Sequence, residues 1–295
     1  MDSKPSRRVA VIGAGAIGGF FAARAHGAGH RVVLCARTPI DGLVLEENGE
    51  LREAAVDVAL DPAGVAPVEW VLLATKAQDT AGALPWLRAL CGAGTTVAVL
   101  QNGIDHAQRL AGMVPASAIL PTVVNCGAER VAPGHVVHHQ ASRLIAPQGE
   151  AARRLRDLFA GTDVEVVETA DFLSDAWRKL LANVAVNPLT ALTMRRIGAL
   201  ADPDLKELAR GLVTEAAAVG QAAGAKIGAE DVARVLEAPS RLKPEAGTSM
   251  LYDRLAGRPL EHEYITGAVV AAAERHGIAV PLNRAILALL RALSP

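Results

Sequence analysis

The sequence predicts an α/β domain followed by an all-helical domain, and three observations indicate this order. A glycine-rich turn joins a short apolar strand to a helix near the N-terminus. Continuous apolar runs, typical of buried parallel strands, recur up to about residue 170. From Asp171 onward the apolar spacing is helical, and no strand-like alternation returns. We therefore predict residues 1–170 and 171–295 as the two domains.

Composition narrows the class of protein before any motif is considered. The net charge is -1 and the Lys and Arg residues are scattered, so nothing points to nucleic acid or to an anionic membrane. No segment reaches about 18 apolar residues, so we expect no membrane span. The three cysteines lack metal-ligand spacing, which suits a reduced state in the cytoplasm.

A strand, a glycine-rich turn and a helix follow one another near the N-terminus. Residues 8–12 form an apolar run that leads into the turn GAGAIG at residues 13–18, and residues 20–27 have helical character. A second apolar run occupies residues 30–36. This order is the setting in which the pattern G-x-G-x-x-G binds a dinucleotide. The sequence therefore predicts a Rossmann-like dinucleotide-binding domain.

The positions of this turn have separate tasks. Gly13 makes the tight turn after the strand, Gly15 lets the backbone approach the pyrophosphate, and Gly18 lets the helix pack on the strand. Ala16 and Ile17 lie at the N-terminal end of the helix, which faces the phosphates. All five are candidate cofactor-binding residues.

Arg37 ends the second predicted strand, nineteen residues after Gly18, and bears on the choice of cofactor. An acidic residue there would bind the ribose hydroxyls of NAD, whereas a guanidinium suits a 2′-phosphate. The sequence therefore favours NADPH/NADP+. In the alternative, Arg37 is a solvated charge at the strand end and Asp41 contacts the ribose.

Two further apolar runs end in polar residues. Residues 68–75 lead to Lys76, and residues 95–100 lead to Gln101-Asn102-Gly103. Ligands of open α/β sheets bind beyond the carboxyl ends of the strands, so Lys76 and Asn102 are expected at the same edge as the glycine turn. Taken singly, each is more often a turn residue.

Residues 120–147 contain short β-like runs separated by Gly and Pro, and we expect them to complete the sheet. His135, His138 and His139 lie in this region, with no acidic or cysteine cluster expected near them. His138 and His139 would point to opposite faces of a strand. We therefore predict no metal site.

Residues 177–192, WRKLLANVAVNPLTAL, carry the strongest candidate for chemistry. Lys179, Asn183 and Asn187 recur every four residues, so on a helix they stay within about 80° of one face. Apolar neighbours place this stripe at the edge of a buried surface, where it could hold a carbonyl or carboxylate. Pro188 is expected to kink or break the helix. In the alternative, the stripe is a helix end with two satisfied amides and a snorkelling lysine.

Two later residues in the helical half are candidates as well. Ser249 follows a loop and could present its hydroxyl, with helix N-terminal amides, to an anion. Glu261 follows the segment Gly257-Arg-Pro-Leu and is expected to open a helix. A carboxylate in a first helical turn is commonly only a complement to the helix dipole.

The ordered motifs GAGAIG, Arg37, ATKAQ, LQNG, WRKLLANVAVNPLTAL, TSM, EHEYITG and HGIAVP resemble the ketopantoate reductase (2-dehydropantoate 2-reductase) family. The resemblance runs from Val9 to about Leu290, and the helical motif is its most specific part. It implies the reduction of 2-dehydropantoate to (R)-pantoate by NADPH, a step toward coenzyme A, by a monomer or homodimer.

The resemblance also implies roles for individual residues. Lys179 matches the general acid, and Glu261, the second catalytic candidate, matches an acidic residue that contacts the cofactor. The remaining matches are Asn183 and Asn187 in the substrate pocket, Ser249 at the substrate carboxylate, Lys76 on the substrate side and Asn102 near the nicotinamide.

One position departs from the family pattern. Ile197 stands where the family often has a further pocket Asn, which makes the pocket more apolar and leaves the 2-oxo acid open. The alternatives are a relative that reduces another small 2-oxo acid or ketone, and a non-catalytic NADP-binding protein. The full set of polar candidates in the helical half speaks against a pure binder.

Overall fold

The computed structural model describes residues 5–293, apart from the side chains of residues 140 and 141. The chain divides into two compact units. The first comprises residues 1–101 and 105–172, and the second comprises residues 102–104 and 173–295. The first unit contains a parallel sheet and the second is helical, which confirms the predicted fold class.

The first unit supplies all strands of the described chain. The strands are β1 (Arg8–Ile12), β2 (Arg31–Cys35), β3 (Leu43–Glu47), β4 (Glu50–Ala54), β5 (Asp57–Ala59), β6 (Trp70–Leu73), β7 (Thr96–Val99), β8 (Ile119–Pro121), β9 (Val123–Ala132), β10 (His135–Pro147) and β11 (Val164–Thr169). Its α-helices are α1 (Ala16–Gly27), α2 (Leu84–Leu90), α3 (His106–Arg109) and α4 (Glu150–Leu158).

Six strands form one parallel sheet in the order β5-β2-β1-β6-β7-β8. β1 lies between β2 and β6, and Ile12 at its end is paired with Cys35 on one side and Leu73 on the other. The carboxyl ends of these three strands therefore meet at one edge. Because the chain crosses from β2 to the far side of β1, the strand order reverses here, where open α/β sheets bind ligands.

The expectation that residues 120–147 complete this sheet was wrong. Only β8 joins it, while β9 and β10 belong to a second sheet ordered β11-β10-β3-β4, with β9 on β10. β10 pairs in parallel with β3, a strand from a hairpin that the sequence pattern did not reveal. Helix α1 packs against this second sheet, since a Cβ at Gly19 would lie 2.7 Å from Val136. Packing against α1 thus brings β10 beside its partner strand β3.

The second unit is an assembly of helices around one apolar core. Its α-helices are α5 (Phe172–Thr193), α6 (Pro203–Ala222), α7 (Ala229–Glu237), α8 (Ser249–Leu255), α9 (Thr266–His276) and α10 (Pro281–Ala292). Trp177, Leu181 and Val184 of α5 are buried in that core. No helix among the described residues is long and apolar enough to cross a membrane.

Helix α5 does not end at Pro188 but continues to Thr193. The ring removes one backbone donor, yet Leu189 and Ala191 beyond it are buried in the same core as the first half of the helix. The Thr190 hydroxyl also donates to the carbonyl oxygen of Val186, at 2.9 Å. Burial on both sides of Pro188 therefore keeps the chain helical.

Candidate functional site

Of the three glycines in the turn at the end of β1, only one has open space where a side chain would lie. Gly13 has φ +111°, and a Cβ there would lie 2.9 Å from the backbone of Ala74 and Thr75. A Cβ at Gly18 would overlap the carbonyl oxygen of Gly13. Gly15 has no such neighbour within 4 Å. Two glycines are thus required by packing, while the third leaves its backbone accessible to a ligand.

Arg37 lies just beyond β2, at the same sheet edge as the glycine turn. Its side chain is 86% exposed, and its guanidinium lies 3.3 Å from the carboxylate of Asp79. A surface ion pair of this length contributes little to stability. Arg37 therefore has the exposure that an anion contact needs, with one carboxylate as a competing partner.

Lys76 follows β6 and precedes a 3-10 turn at Ala77–Asp79. The loop that carries it is held by Gln101, a residue that the sequence pattern did not single out as functional. The Gln101 side-chain amide donates to the Thr75 carbonyl oxygen at 3.0 Å and to the Thr75 hydroxyl at 2.8 Å. Its position directly before Asn102-Gly103, after a buried strand, was the available signal.

A partly buried cluster of Asp105, His106 and Arg109 holds Gln101 from the other side. Arg109 donates to the Gln101 side-chain oxygen at 3.0 Å and to Asp105 at 2.8 Å. The His106 Nε2 lies 3.0 Å from the Gln101 carbonyl oxygen. Burial, followed by the charge of Arg109, lowers the pKa of His106 from 6.5 to about 4. The imidazole is therefore neutral at pH 7 and donates through Nε2.

In the helical unit, three of the predicted residues converge. The Asn183 amide donates to the side-chain oxygen of Asn102 at 3.3 Å, and the Asn102 amide donates to the Glu261 carboxylate at 3.0 Å. Asn187 is buried and Lys179 is half-buried on the same stripe of α5. Glu261 is only 5% exposed and precedes a 3-10 turn at His262–Tyr264, so it does not begin an α-helix as expected.

Ser249 is the exposed first residue of α8. The residue before it, Thr248, caps that helix by accepting from the Leu251 backbone N–H at 3.2 Å. The Thr248 and Thr190 hydroxyls lie 2.7 Å apart. Thr190 is three residues after Asn187 on α5, so this bond ties the start of α8 to the helix that bears the polar stripe.

Ile197 is buried and its backbone N–H donates to Ala246 at 2.9 Å. Its side chain lines a cavity of about 660 Å³ together with Ala185, Leu200 and Leu236. Ala185 lies roughly 200° around α5 from Asn183, which is the opposite face of the helix. The cavity is therefore separate from the polar stripe.

Acidic residues lie near one of the histidines, contrary to expectation. The ligand atoms of Glu47, His138 and Asp163 lie within 4.8 Å of one another, as a metal site would require. However, the Arg24 guanidinium bonds both carboxylates. Burial would raise the pKa of Glu47, but hydrogen bonds from Arg24 and His138 lower it. The Arg24 guanidinium thus already neutralises the two carboxylates of this cluster.

The fold and the glycine turn define the class of protein, a dinucleotide-binding protein with a helical second unit. Residues 9–150 match the family model described as Ketopantoate reductase PanE/ApbA, and residues 171–294 match its C-terminal counterpart. The chain belongs to the ketopantoate reductase family, as the sequence motifs indicated.

Relatives and solved structures agree with this assignment. A 2-dehydropantoate 2-reductase of Caulobacter vibrioides is 38% identical over 285 residues, which cover 96% of this chain and 98% of the relative. The crystal structure of 2-dehydropantoate 2-reductase from Geobacter metallireducens has a TM-score of 0.90 at 29% identity and covers 97% and 99% of the two chains. D-mandelate dehydrogenase, solved with NADH and anilino(oxo)acetate, shares the fold with a TM-score of 0.89 at 24% identity over 97% and 98%. The predicted enzyme class, an oxidoreductase acting on a C=O/CH–OH group, is confirmed.

Proposed function

We propose that this protein reduces 2-dehydropantoate to (R)-pantoate with NADPH, in the cytoplasm, as a step toward coenzyme A. The observation that carries the proposal is the polar stripe of α5, in which Lys179 stands one turn from the buried Asn183 and two turns from the buried Asn187. A cation beside oriented amides at the edge of an apolar core is suited to a small 2-oxo acid.

For cofactor binding, we propose the residues that the sequence motifs select. In the first unit, Gly15 leaves its backbone open to the pyrophosphate, and the exposed guanidinium of Arg37 pairs with the 2′-phosphate. The other residues proposed to bind NADPH are Gly13, Ala16, Ile17, Gly18, Lys76, Asn102 and Glu261.

Lys179 is proposed as the general acid. NADPH, when bound, would supply the hydride that reduces the keto carbon, and negative charge would develop on the carbonyl oxygen. The Lys179 ammonium stabilises that charge and donates its proton to the oxygen. Asn183 and Asn187 orient the substrate by hydrogen bonds, and Ser249 holds its carboxylate. Lys76 is proposed as a further substrate-binding lysine. Every residue in this scheme has the donor that its role needs.

A second candidate is the reduction of a different small 2-oxo acid. Its support is the sequence position of Ile197, where the family often has an amide, although the Ile197 side chain lines a cavity on the face of α5 opposite the polar stripe. The wider fold does not decide the matter, since D-mandelate dehydrogenase shares it. Substrate choice is thus a matter of pocket residues rather than of architecture.

The deciding experiment is a substrate panel. Purified protein is incubated with NADPH or NADH and with 2-dehydropantoate, pyruvate, 2-oxo-3-methylbutanoate or phenylglyoxylate, and the nicotinamide absorbance is followed. We expect the highest kcat/KM for 2-dehydropantoate with NADPH. A higher value for another 2-oxo acid would establish the second candidate, and tight NADPH binding without turnover of any acid would indicate a binding protein.

A further inference from the structure

Gln101 is a buried side chain that links three separate segments of the first unit. It follows β7 and is 5% exposed. Its amide nitrogen lies within hydrogen-bond distance of the Thr75 carbonyl oxygen, the Thr75 hydroxyl and the Thr80 hydroxyl, at 2.8–3.0 Å. Its oxygen accepts from Arg109 at 3.0 Å and lies 3.1 Å from the Thr80 hydroxyl. The segments after β6 and at α3 are thus joined by one carboxamide.

This arrangement needs a donor and an acceptor at the end of the same side chain. A glutamine supplies two N–H donors and an oxygen with two lone pairs. A glutamate of the same length would keep the acceptor for Arg109 but would lose both donors to Thr75. A buried network in which every member is satisfied rigidifies the groups that it joins. Gln101 therefore fixes the loop after β6 in a way that no shorter or purely acidic side chain can.

The fixed loop is the one that carries Lys76. The Gln101 amide also lies 3.4 Å from the Lys76 carbonyl oxygen. On its other side, the loop packs on the glycine turn, since a Cβ at Gly13 would lie 2.9 Å from the Thr75 backbone nitrogen. The next residue, Ala77, is fully buried. The main chain at Lys76 is therefore held on both sides, and its side chain leaves from a fixed anchor.

We propose that Gln101 is a positioning residue that sets the main chain of Lys76, and through it the Lys76 ammonium, for binding of the dinucleotide and turnover of the 2-oxo acid. The inference rests on the proposed function of Lys76. The effect of Gln101 passes through the Thr75–Lys76 peptide, with which the Gln101 amide is in hydrogen-bond contact.

A double-mutant cycle separates positioning from simple structural support. Gln101→Glu should lower kcat/KM at least about tenfold and weaken NADPH binding, since the carboxylate repels the Thr75 carbonyl oxygen. In a Lys76→Ala background, the same change should have less than about a twofold effect, because the group that Gln101 positions is gone. Gln108→Glu is the matched control, since Gln108 is exposed on the neighbouring helix α3 and should leave both values unchanged.

Three outcomes would overturn the proposal: equal losses in both backgrounds, normal kcat/KM in a folded Gln101→Glu protein, or the same loss in Gln108→Glu. If Gln101→Glu does not fold, Thr75→Val replaces it in the cycle, because valine keeps the shape and removes one acceptor of the Gln101 amide. If the wild type reduces no 2-oxo acid, the proposed function fails. The same cycle then measures the NADPH Kd by nicotinamide fluorescence, which still decides the role of Gln101.

Discussion

The side-chain amide of Asn102 donates a hydrogen bond to the Glu261 carboxylate at 3.0 Å, although the two residues are 159 positions apart in the chain. Asn102 in turn accepts from the amide of Asn183, at 3.3 Å. Asn102, Asn183 and Glu261 all belong to the helical unit, which includes the segment 102–104. Three candidate residues from distant parts of the sequence are thereby joined in one polar chain.

We expect Asn102→Asp to destabilise the protein, because it places a second carboxylate against the buried Glu261. The loss should be about 1–3 kcal/mol in the free energy of unfolding, measured with urea. The double variant Asn102→Asp/Glu261→Gln restores a donor and an acceptor and should recover most of that loss. A double variant as unstable as the single one would show that the bond contributes nothing.

Gly15→Val should abolish dinucleotide binding while the protein stays folded. The space above Gly15 is open in the protein, so a side chain fits there but occupies the volume predicted for the pyrophosphate. Gly18→Ala is the contrasting variant, because its Cβ would overlap a backbone oxygen and should lower the Tm. Normal NADPH saturation of Gly15→Val in a fluorescence titration would rule out this phosphate contact.

Arg37→Asp should weaken NADPH binding by about 1.5–3 kcal/mol, the range for hydrogen bonds to charged groups, and should leave NADH binding unchanged or improved. Asp79→Asn is the opposite test, because it removes the carboxylate that lies 3.3 Å from the guanidinium. It should tighten NADPH binding. Equal losses for both cofactors in Arg37→Asp would mean that the arginine has only a structural role.

Lys179→Ala should lower kcat by about 10²–10⁴, the usual contribution of a positioned general acid, with NADPH affinity nearly intact. Asn183→Ala and Asn187→Ala should raise KM more than they lower kcat, if both amides orient the ground state and transition state alike. Lys206→Ala, at an exposed lysine of α6, is the control. Near-normal turnover of Lys179→Ala, or its unfolding, would make α5 a structural helix.

The stability of the protein should fall as the pH drops from about 6.5 to about 4, partly because of His106. Its pKa is lower in the folded than in the unfolded chain, so the unfolded chain takes up the proton first. The resulting loss should reach roughly 3 kcal/mol at the acid end. His106→Gln, compared with wild type by urea unfolding across this range, should lose less. If the unfolding free energy of the two proteins changes with pH in the same way, His106 does not cause the loss.

Local sequence pattern by itself determined the fold class, the glycine turn and the helical character of the second half. These features depend on residues close together in the chain: a strand, three glycines and a helix within thirty positions, or side chains four apart on α5. Such local patterns predict secondary structure without information about distant parts of the chain. The spacing also selected Lys179, Asn183 and Asn187 as candidates before any contact was known.

Only the tertiary structure decided which distant partners meet. The second sheet exists because β10 pairs with β3, and the segment of Asn102 joins the helical unit because its amide bonds Glu261. Gln101 fixes the Lys76 loop through atoms that its own neighbours in sequence do not predict. α5 passes through Pro188 because burial on both sides outweighs a local preference to break. Each of these depends on burial and hydrogen-bond geometry between segments far apart in the chain, which periodicity does not encode.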